Sequence, residues 1–375
     1  MHIIILAGGG GTRLWPWSKQ DFPKQFLHLS DDHSLLQKSV IRFLDVPLVQ
    51  TIVVATNVHY ESLVRKQLEL IDPAQKIHII TEPARRNTAP AMAFAIKYLQ
   101  EHCSALENDA VLVLPSDHLI EPKEALTDSL DKIPPLILNN KIVLFGITPT
   151  KPETGFGYIQ VGEPVNPYAS YVKCFTEKPN LALAENYIRS GNYYWNAGMF
   201  AFSIATFWQH LEQHSPKIAH LLYTKKEEIS TIFQSLPDIS FDYAVLEKSQ
   251  DILVYPLVVN WSDVGCWDSV YDVMEKDTNQ NVKQGNIVDI DTRNSLILGG
   301  KKLISTIGLH DLLIVDTEEA TFIGKRGESQ KIREIVQHLQ KKIADDRSDA
   351  DATKLLPPQE FGKTAPPTSQ SKTTD

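Results

Sequence analysis

With 375 residues, 42% of them apolar and 22% charged, the chain has room for one large α/β domain and a smaller second one. This composition excludes a wholly disordered, collagen-like or many-span membrane protein. A net charge of −9 excludes a broad basic face for nucleic-acid backbone, so any anion it binds is small and locally captured.

In chain order, the apolar run at residues 2–7 stops at four glycines and reads as a buried parallel strand entering a tight loop. The run is too short for a signal-peptide core, and no later run approaches the ~20 apolar residues of a span, so no membrane partner is expected. Cys103, Cys174 and Cys266 are far apart and form no CxxC pair. They imply neither a disulfide framework nor a zinc site and fit a reduced, cytoplasmic location. Runs at 51–55, 77–80, 110–114 and 142–146 have the same strand character, with helical patterns between them at 61–71 and 89–101. This alternation predicts a doubly wound α/β sheet. From 154 to 205 the pattern turns strand- and turn-rich, as expected of a substrate-facing lid on the same domain. From about 285 to 324 short strand-like pieces (286–290, 295–298, 303–307, 312–315 and 321–323) recur as stacked strands of a small β-coil would. Residues 328–342 read as an amphipathic helix, and 343–375, rich in Pro, Ser, Thr, Lys and Asp, as a disordered tail. The expected division is therefore 1–283, 284–342 and 343–375.

The strongest local signal is Gly8-Gly9-Gly10-Gly11-Thr12-Arg13, a glycine loop directly after the first strand, where backbone N–H groups close on phosphate without Cβ atoms in the way. No Gly-Lys-Ser/Thr follows, which excludes the Walker loop, and Arg13 stands where a dinucleotide fingerprint has its third glycine. An arginine there is suited to clamp a polyphosphate bidentately, and Lys24 in Pro23-Lys24-Gln25-Phe26 adds a second cation. A merely flexible glycine turn fits less well, given the strand before it and the cation after it. Pro115-Ser116-Asp117-His118 ends a strand, where doubly wound sheets bind ligand, so Asp117 is a candidate metal carboxylate, although strand-end aspartates also serve as helix caps. Ser262-Asp263-Val264-Gly265 offers a second carboxylate, and magnesium on phosphates needs only one or two. Glu177-Lys178 in Phe175-Thr176-Glu177-Lys178-Pro179 sets an acceptor beside a cation, suited to a sugar hydroxyl and a sugar phosphate, or to a surface ion pair before a proline turn.

Gly8-Gly9-x-Gly11-Thr12-Arg13-Leu14-Trp15-Pro16, then Ser18, then Pro23-Lys24-Gln25-Phe26, resembles the signature of the mannose-1-phosphate guanylyltransferases, nucleotidyltransferases that activate sugar phosphates. The Phe175–Pro179 motif and Trp195-Asn196-Ala197-Gly198-Met199-Phe200 extend the resemblance. It implies a Rossmann-like, GT-A-like catalytic domain with a small C-terminal β-helix-like domain, and transfer of GMP from GTP to α-D-mannose 1-phosphate with magnesium. Carried over residue by residue, it makes Arg13 and Lys24 catalytic. Gly8, Gly9, Gly10, Gly11, Thr12, Arg86, Asn87, Thr88 and Ser116 become nucleotide-binding. Gly157, Glu177, Lys178, Asn196 and Gly198 become sugar phosphate-binding, and Asp117 and Asp263 metal-binding. Glu82-Pro83 resembles the segment near the base, and the block at 242–247 is read as structural. Ala197 and Cys266 replace commoner serines. The short tail leaves no room for the isomerase domain of some relatives, so one activity is expected, with a homodimer paired through the β-rich segment. The alternatives are a pyrophosphorylase for another nucleotide and sugar 1-phosphate, or a non-catalytic GDP-mannose-binding regulatory subunit. The latter would be expected to have lost Arg13, Lys24 or an aspartate.

Overall fold

The computed structural model describes residues 1–29, 32–72 and 76–342 of the protein, so the expected tail at 343–375 lies outside the described residues. Residues 1–330 form one compact unit; of the second, which begins at Lys331, the described part is helical over 332–342. No described helix is long and apolar enough to cross a membrane.

A nine-stranded sheet organises the first unit. Its strands are β1 (His2–Leu6), β2 (Thr51–Asn57), β3 (Ile77–Glu82), β4 (Ala110–Pro115), β6 (Ile142–Ile147), β7 (Tyr158–Asn166), β8 (Ala169–Thr176), β9 (Tyr193–Ser203) and β10 (Ile252–Pro256), in the order β3-β2-β1-β4-β9-β6-β10-β8-β7. β1 pairs in parallel with β2 and β4, with Ile3 opposite Ile52 and Leu112. Ile3 and Ile5 face one fully buried core and Ile4 the other, which is why this strand reads as a continuous apolar run and why helices cover both sheet faces. Ser34 opens the helix Leu35–Leu44 with a reciprocal capping box to Gln37, and Asn87 caps the helix Thr88–His102 by accepting from Thr88 N. A short pair, β5 (Leu119–Glu121) with β11 (Asn260–Ser262), carries the chain on either side of the candidate carboxylates.

The expected lid is not one. β9 runs antiparallel between β4 and β6 in the middle of the sheet, and β7 and β8 extend the sheet to its edge. Its alternation is double-sided, with Trp195, Ala197, Met199 and Ala201 in one core and Phe200 and Phe202 in the other. A strand apolar on both faces belongs inside a sheet.

After the helix Trp267–Val273 come β12 (Val282–Gln284), β13 (Ile287–Ile290), β14 (Leu296–Leu298), β15 (Ile304–Ile307), β16 (Leu312–Asp316) and β17 (Thr321–Lys325). β12, β14 and β16 stack in parallel on one side, β13 and β15 on a second, and Arg293 bridges His310 on a third, making a short β-coil closed by the antiparallel β17. Leu296, Leu298, Leu313 and Val315 are fully buried within it. Asn281 ties its turns together, donating to Thr292 O (2.7 Å) and accepting from Ser295 N (3.0 Å). β12 escaped the sequence pattern because Val-Lys-Gln carries a single apolar residue. The expected helix at 328–342 starts later, after a tight turn at Ser329–Lys331.

Candidate active site

The carboxyl ends of β1, β3 and β4 open onto a cavity of about 570 Å³, where ligands of open α/β sheets bind. Gly8 and Gly9 form one wall. Their carbonyls are held from outside: Asn57 Nδ2 donates to Gly8 O (3.0 Å), and Gln25 Nε2 donates to Gly9 O (2.9 Å) and Ala7 O (3.3 Å). No hydrogen bond among the described residues uses the N–H groups of Gly8 to Gly11, so the loop keeps its donors for an anion. Gly11 must lack a side chain, since a Cβ there would stand 2.9 Å from Cβ of Lys24.

Lys24, only 6% exposed, joins the two expected metal aspartates, one through its carboxylate and the other through its main-chain carbonyl. Its ammonium lies 3.0 Å from Asp117 Oδ2 and donates to the main-chain carbonyl of Asp263. Burial alone would push Asp117 up, but Lys24, His118 and Arg13 hold its carboxyl below the usual range. Gly265 permits the loop, because a Cβ there would collide with the Asp263 carboxylate. The Asp117 carboxylate and the Asp263 main-chain carbonyl meet at Lys24, and both carboxyls are close enough to act on His118; two aspartates are a donor set that fits magnesium with phosphate and water completing its shell. Among the described residues no group of three or more His, Cys, Asp or Glu forms a metal cage. Arg13 is exposed beside this point and acts on Asp117 by its charge.

The other expected nucleotide residues line the cavity in a different manner from a simple set of ligand donors. Ser116 is buried, with its N–H on Leu6 O (3.1 Å). Arg86 donates to Gln234 O, Asn87 spends its side chain capping the helix behind it, and Thr88 Oγ1 accepts from Phe241 N (2.9 Å). All four line the cavity, yet Arg86, Asn87 and Thr88 also hold its wall together. Gly10 and Thr12 lie in the loop outside the cavity lining.

The structure also brings together the residues expected to bind the sugar phosphate. Asn196 N donates to Gly157 O (2.8 Å), Gly198 N donates to Asn196 Oδ1 (3.1 Å), and Lys178 donates to the Glu177 carboxylate. A Cβ on Gly157 would lie 2.6 Å from Glu177 Oε2, and Gly198 has a left-handed φ of 67°, so each glycine is required by its surroundings.

Two carboxyls emerge that the motifs did not single out as ligand groups. Glu82, at the end of β3, is buried in the cavity wall over Gly8, and burial pushes it up to about 8 despite the nearby Arg85. Asp242 opens a π-turn at Asp242–Leu246 and lines the cavity, while Ala244, Val245 and Leu246 of the same 242–247 block are buried, as a structural block would be. It accepts from Asn196 Nδ2 (2.9 Å), and burial, with Glu177 beside it, pushes its carboxyl up to about 6. Glu82 stood in the segment that resembles the one near the base and Asp242 in the block read as structural, and only packing shows that their carboxyls are shifted. A π-turn, a frequent companion of functional sites, leaves no local sequence signal.

Residues 2–280 match the Nucleotidyl transferase family model, and residues 285–339 match the MannoseP isomerase/GMP-like beta-helix domain. Among curated proteins, the chain is 38% identical over 351 residues to a mannose-1-phosphate guanylyltransferase of Escherichia coli, covering 90% of this chain and 75% of that protein. It is 39% identical to the alginate biosynthesis protein AlgA of Pseudomonas syringae pv. tomato, over 90% of this chain and 72% of that one. Among solved structures it resembles a mannose-1-phosphate geranyltransferase from Thermus thermophilus, with a TM-score of 0.80 and 30% identity, covering 90% of this chain and 98% of that one.

Proposed function

The chain belongs to the nucleotidyl transferase family, and we propose that it transfers GMP from GTP to α-D-mannose 1-phosphate, giving GDP-mannose and pyrophosphate. The observation that carries this reading is the junction beside the cavity, which Gly8, Gly9 and Asp117 line. A glycine loop with free N–H donors meets Lys24 between two aspartates, and the Glu177, Lys178 and Asn196 group stands by the same cavity through Asp242.

The mannose phosphate oxygen attacks the α-phosphorus in line and pyrophosphate leaves. The nucleophile is already an anion, so no general base is required. The protein must instead hold two mutually repelling anions in line and neutralise the charge that develops. The loop N–H groups and Arg13 hold the triphosphate, Lys24 stands at the reacting phosphate, and Lys178 holds the sugar phosphate. Asp117 and Asp263 would hold magnesium, which when bound neutralises phosphate charge and draws the two substrates to one point. Guanine presents adjacent N1–H and amino donors, and Glu82 is a cavity carboxyl to which no described group donates a hydrogen bond, so its ionised form suits that base.

Arg13, Lys24, Asp117 and Asp263 are all present, which supports an enzyme over a regulatory subunit. The same reading makes residues 1–283 the catalytic domain and 284–342 an assembly domain pairing two chains, in the cytoplasm. Pyrophosphate release measured across four nucleoside triphosphates and three sugar 1-phosphates tests it. The expected outcome is turnover with GTP and mannose 1-phosphate that stops with chelator and returns with magnesium. A preference for another pair overturns it.

A further inference from the structure

We propose that Asp242 reads the sugar: its carboxylate accepts a hydroxyl of the mannosyl ring and, through Asn196, fixes the amide that faces the same ring. The inference rests on the cavity being the site for GTP and mannose 1-phosphate, and it names a specificity group within that site.

The Asn196 amide cannot turn over. Gly198 N–H donates to its Oδ1 and its Nδ2 donates to Asp242 Oδ1, so exchanging O and N would set donor against donor at one end and acceptor against acceptor at the other. Asp242 thereby decides which face of the amide meets the ligand. One Nδ2 hydrogen and one Oδ1 lone pair remain for it.

The carboxylate is itself a cavity group. It lines the same wall as Gly198 and stands close enough to Glu177 and Lys178 for each to act on it. A carboxylate accepts up to about four hydrogen bonds, and Asn196, Ser240 and its own main-chain N–H occupy part of that capacity, leaving room for a ligand hydroxyl. A pair of carboxyls flanking an amide is poor company for a phosphate and good company for hydroxyls, which assigns this end of the cavity to the ring and leaves the phosphate to Lys178. Burial beside Glu177 holds Asp242 up at about 6, a cost that a donating hydroxyl offsets.

The position of Asp242 is also fixed relative to the nucleotide. Phe241 N donates to Thr88 Oγ1 (2.9 Å) and Ala89 N to Ile239 O (3.3 Å), pinning the residues just before Asp242 to the start of the helix Thr88–His102. An acceptor held on a rigid turn distinguishes hydroxyls by direction, which is what separates mannose from its epimers.

The test uses the full chain, Asp242→Asn and Asp242→Ala, and steady-state kinetics with GTP, mannose 1-phosphate and its mono-deoxy analogues. Each variant is expected to raise KM for mannose 1-phosphate roughly 10- to 100-fold while KM for GTP stays within about twofold. In wild type, at least one deoxy analogue should lose about tenfold or more in kcat/KM, and in Asp242→Asn the same analogue should lose nothing further. A variant in which both KM values rise together, or only that for GTP, overturns the proposal. So does a deoxy penalty that survives intact in Asp242→Asn. If wild type does not turn over mannose 1-phosphate with GTP at all, the functional reading falls first, and that result is visible before any variant is made.

Discussion

Arg13 and Lys24 carry the same charge in the same loop region but differ in burial, and so they should fail differently. Arg13 is exposed and makes no hydrogen bond among the described residues, so Arg13→Ala should keep the wild-type unfolding temperature. It should lower kcat/KM by about 10²- to 10³-fold through loss of phosphate stabilisation. Lys24→Ala leaves Asp117 with only the more distant His118 and should lose activity together with about 3–5 kcal/mol of stability, read as a clearly lower unfolding temperature. Parallel kinetics and thermal melts distinguish the two patterns. Glu82 makes a prediction in pH. Its carboxyl is pushed from 4.5 up to about 8 by burial, so between those values the native chain holds a proton that the unfolded chain has released. Stability therefore falls as pH rises through that window, and the cost is complete above about 8. Glu82→Gln should melt higher than wild type, with an advantage that grows from pH 5 to pH 8 in calorimetry, while losing its preference for GTP over ITP. Residue types at the loop were legible in the sequence because glycine and arginine each have few reasons to stand there. The segment of Glu82 stood out only through the resemblance, and Asp242 did not stand out as a cavity group, since a carboxylate's role depends on what packs around it, and that is decided by residues far away in the chain.

At the scale of elements, the parallel strands were legible to within a residue or two because full burial forces an unbroken apolar run. β9 was recognised as strand-like but misplaced, because a local pattern does not say which neighbours a strand will have. The helix Thr88–His102 illustrates a second limit. Its cap, Asn87, has φ 67° and ψ −173°, a region that is essentially glycine's own. The side-chain cap contributes about 0.5–2 kcal/mol, and replacing it by glycine loses only a few tenths, whereas the backbone strain costs about 1–3 kcal/mol. Asn87→Gly should therefore raise the melting temperature, and Asn87→Ala should lower it. If both variants melt below wild type by the same amount, the backbone is not strained there. Gly157→Ala, immediately before β7, should push Glu177 aside and weaken sugar-phosphate binding more than GTP binding, which a comparison of the two KM values would show.

For the whole molecule, the β-coil leaves Val288, Ile290 and Ile307 exposed on neighbouring strands, with Ile290 directly opposite Ile307. Such a face on a short, edge-bearing sheet suits pairing with a second copy. The wild type should be dimeric and a chain carrying Ile290→Asp and Ile307→Asp monomeric by light scattering, with both retaining turnover. The coil is also bound to the catalytic fold by the helix Trp267–Val273. Asp268 accepts from Gly327 N (2.8 Å) and Ser329 Oγ, and Arg326 lies over the ring of Tyr271 (3.6 Å). At the near end of the same helix Trp267 Nε1 donates to Trp15 O (2.9 Å), just past the glycine loop.

That last bond spans 252 residues and the Lys24 to Asp263 bond spans 239, so the glycine-loop end of the chain is completed by partners far along it. During synthesis at about 5–20 residues per second, the glycine loop leaves the ribosome early and then waits roughly 13–50 s for Asp263 to be made. Until Asp263 is made, Lys24, and Asp117 once it follows, lack their third member, and a nascent chain has no finished site. An arrest or cleavage anywhere before Trp267 yields a fragment without a finished site. Activity in this protein is thus a property that appears late and all at once in the life of each chain.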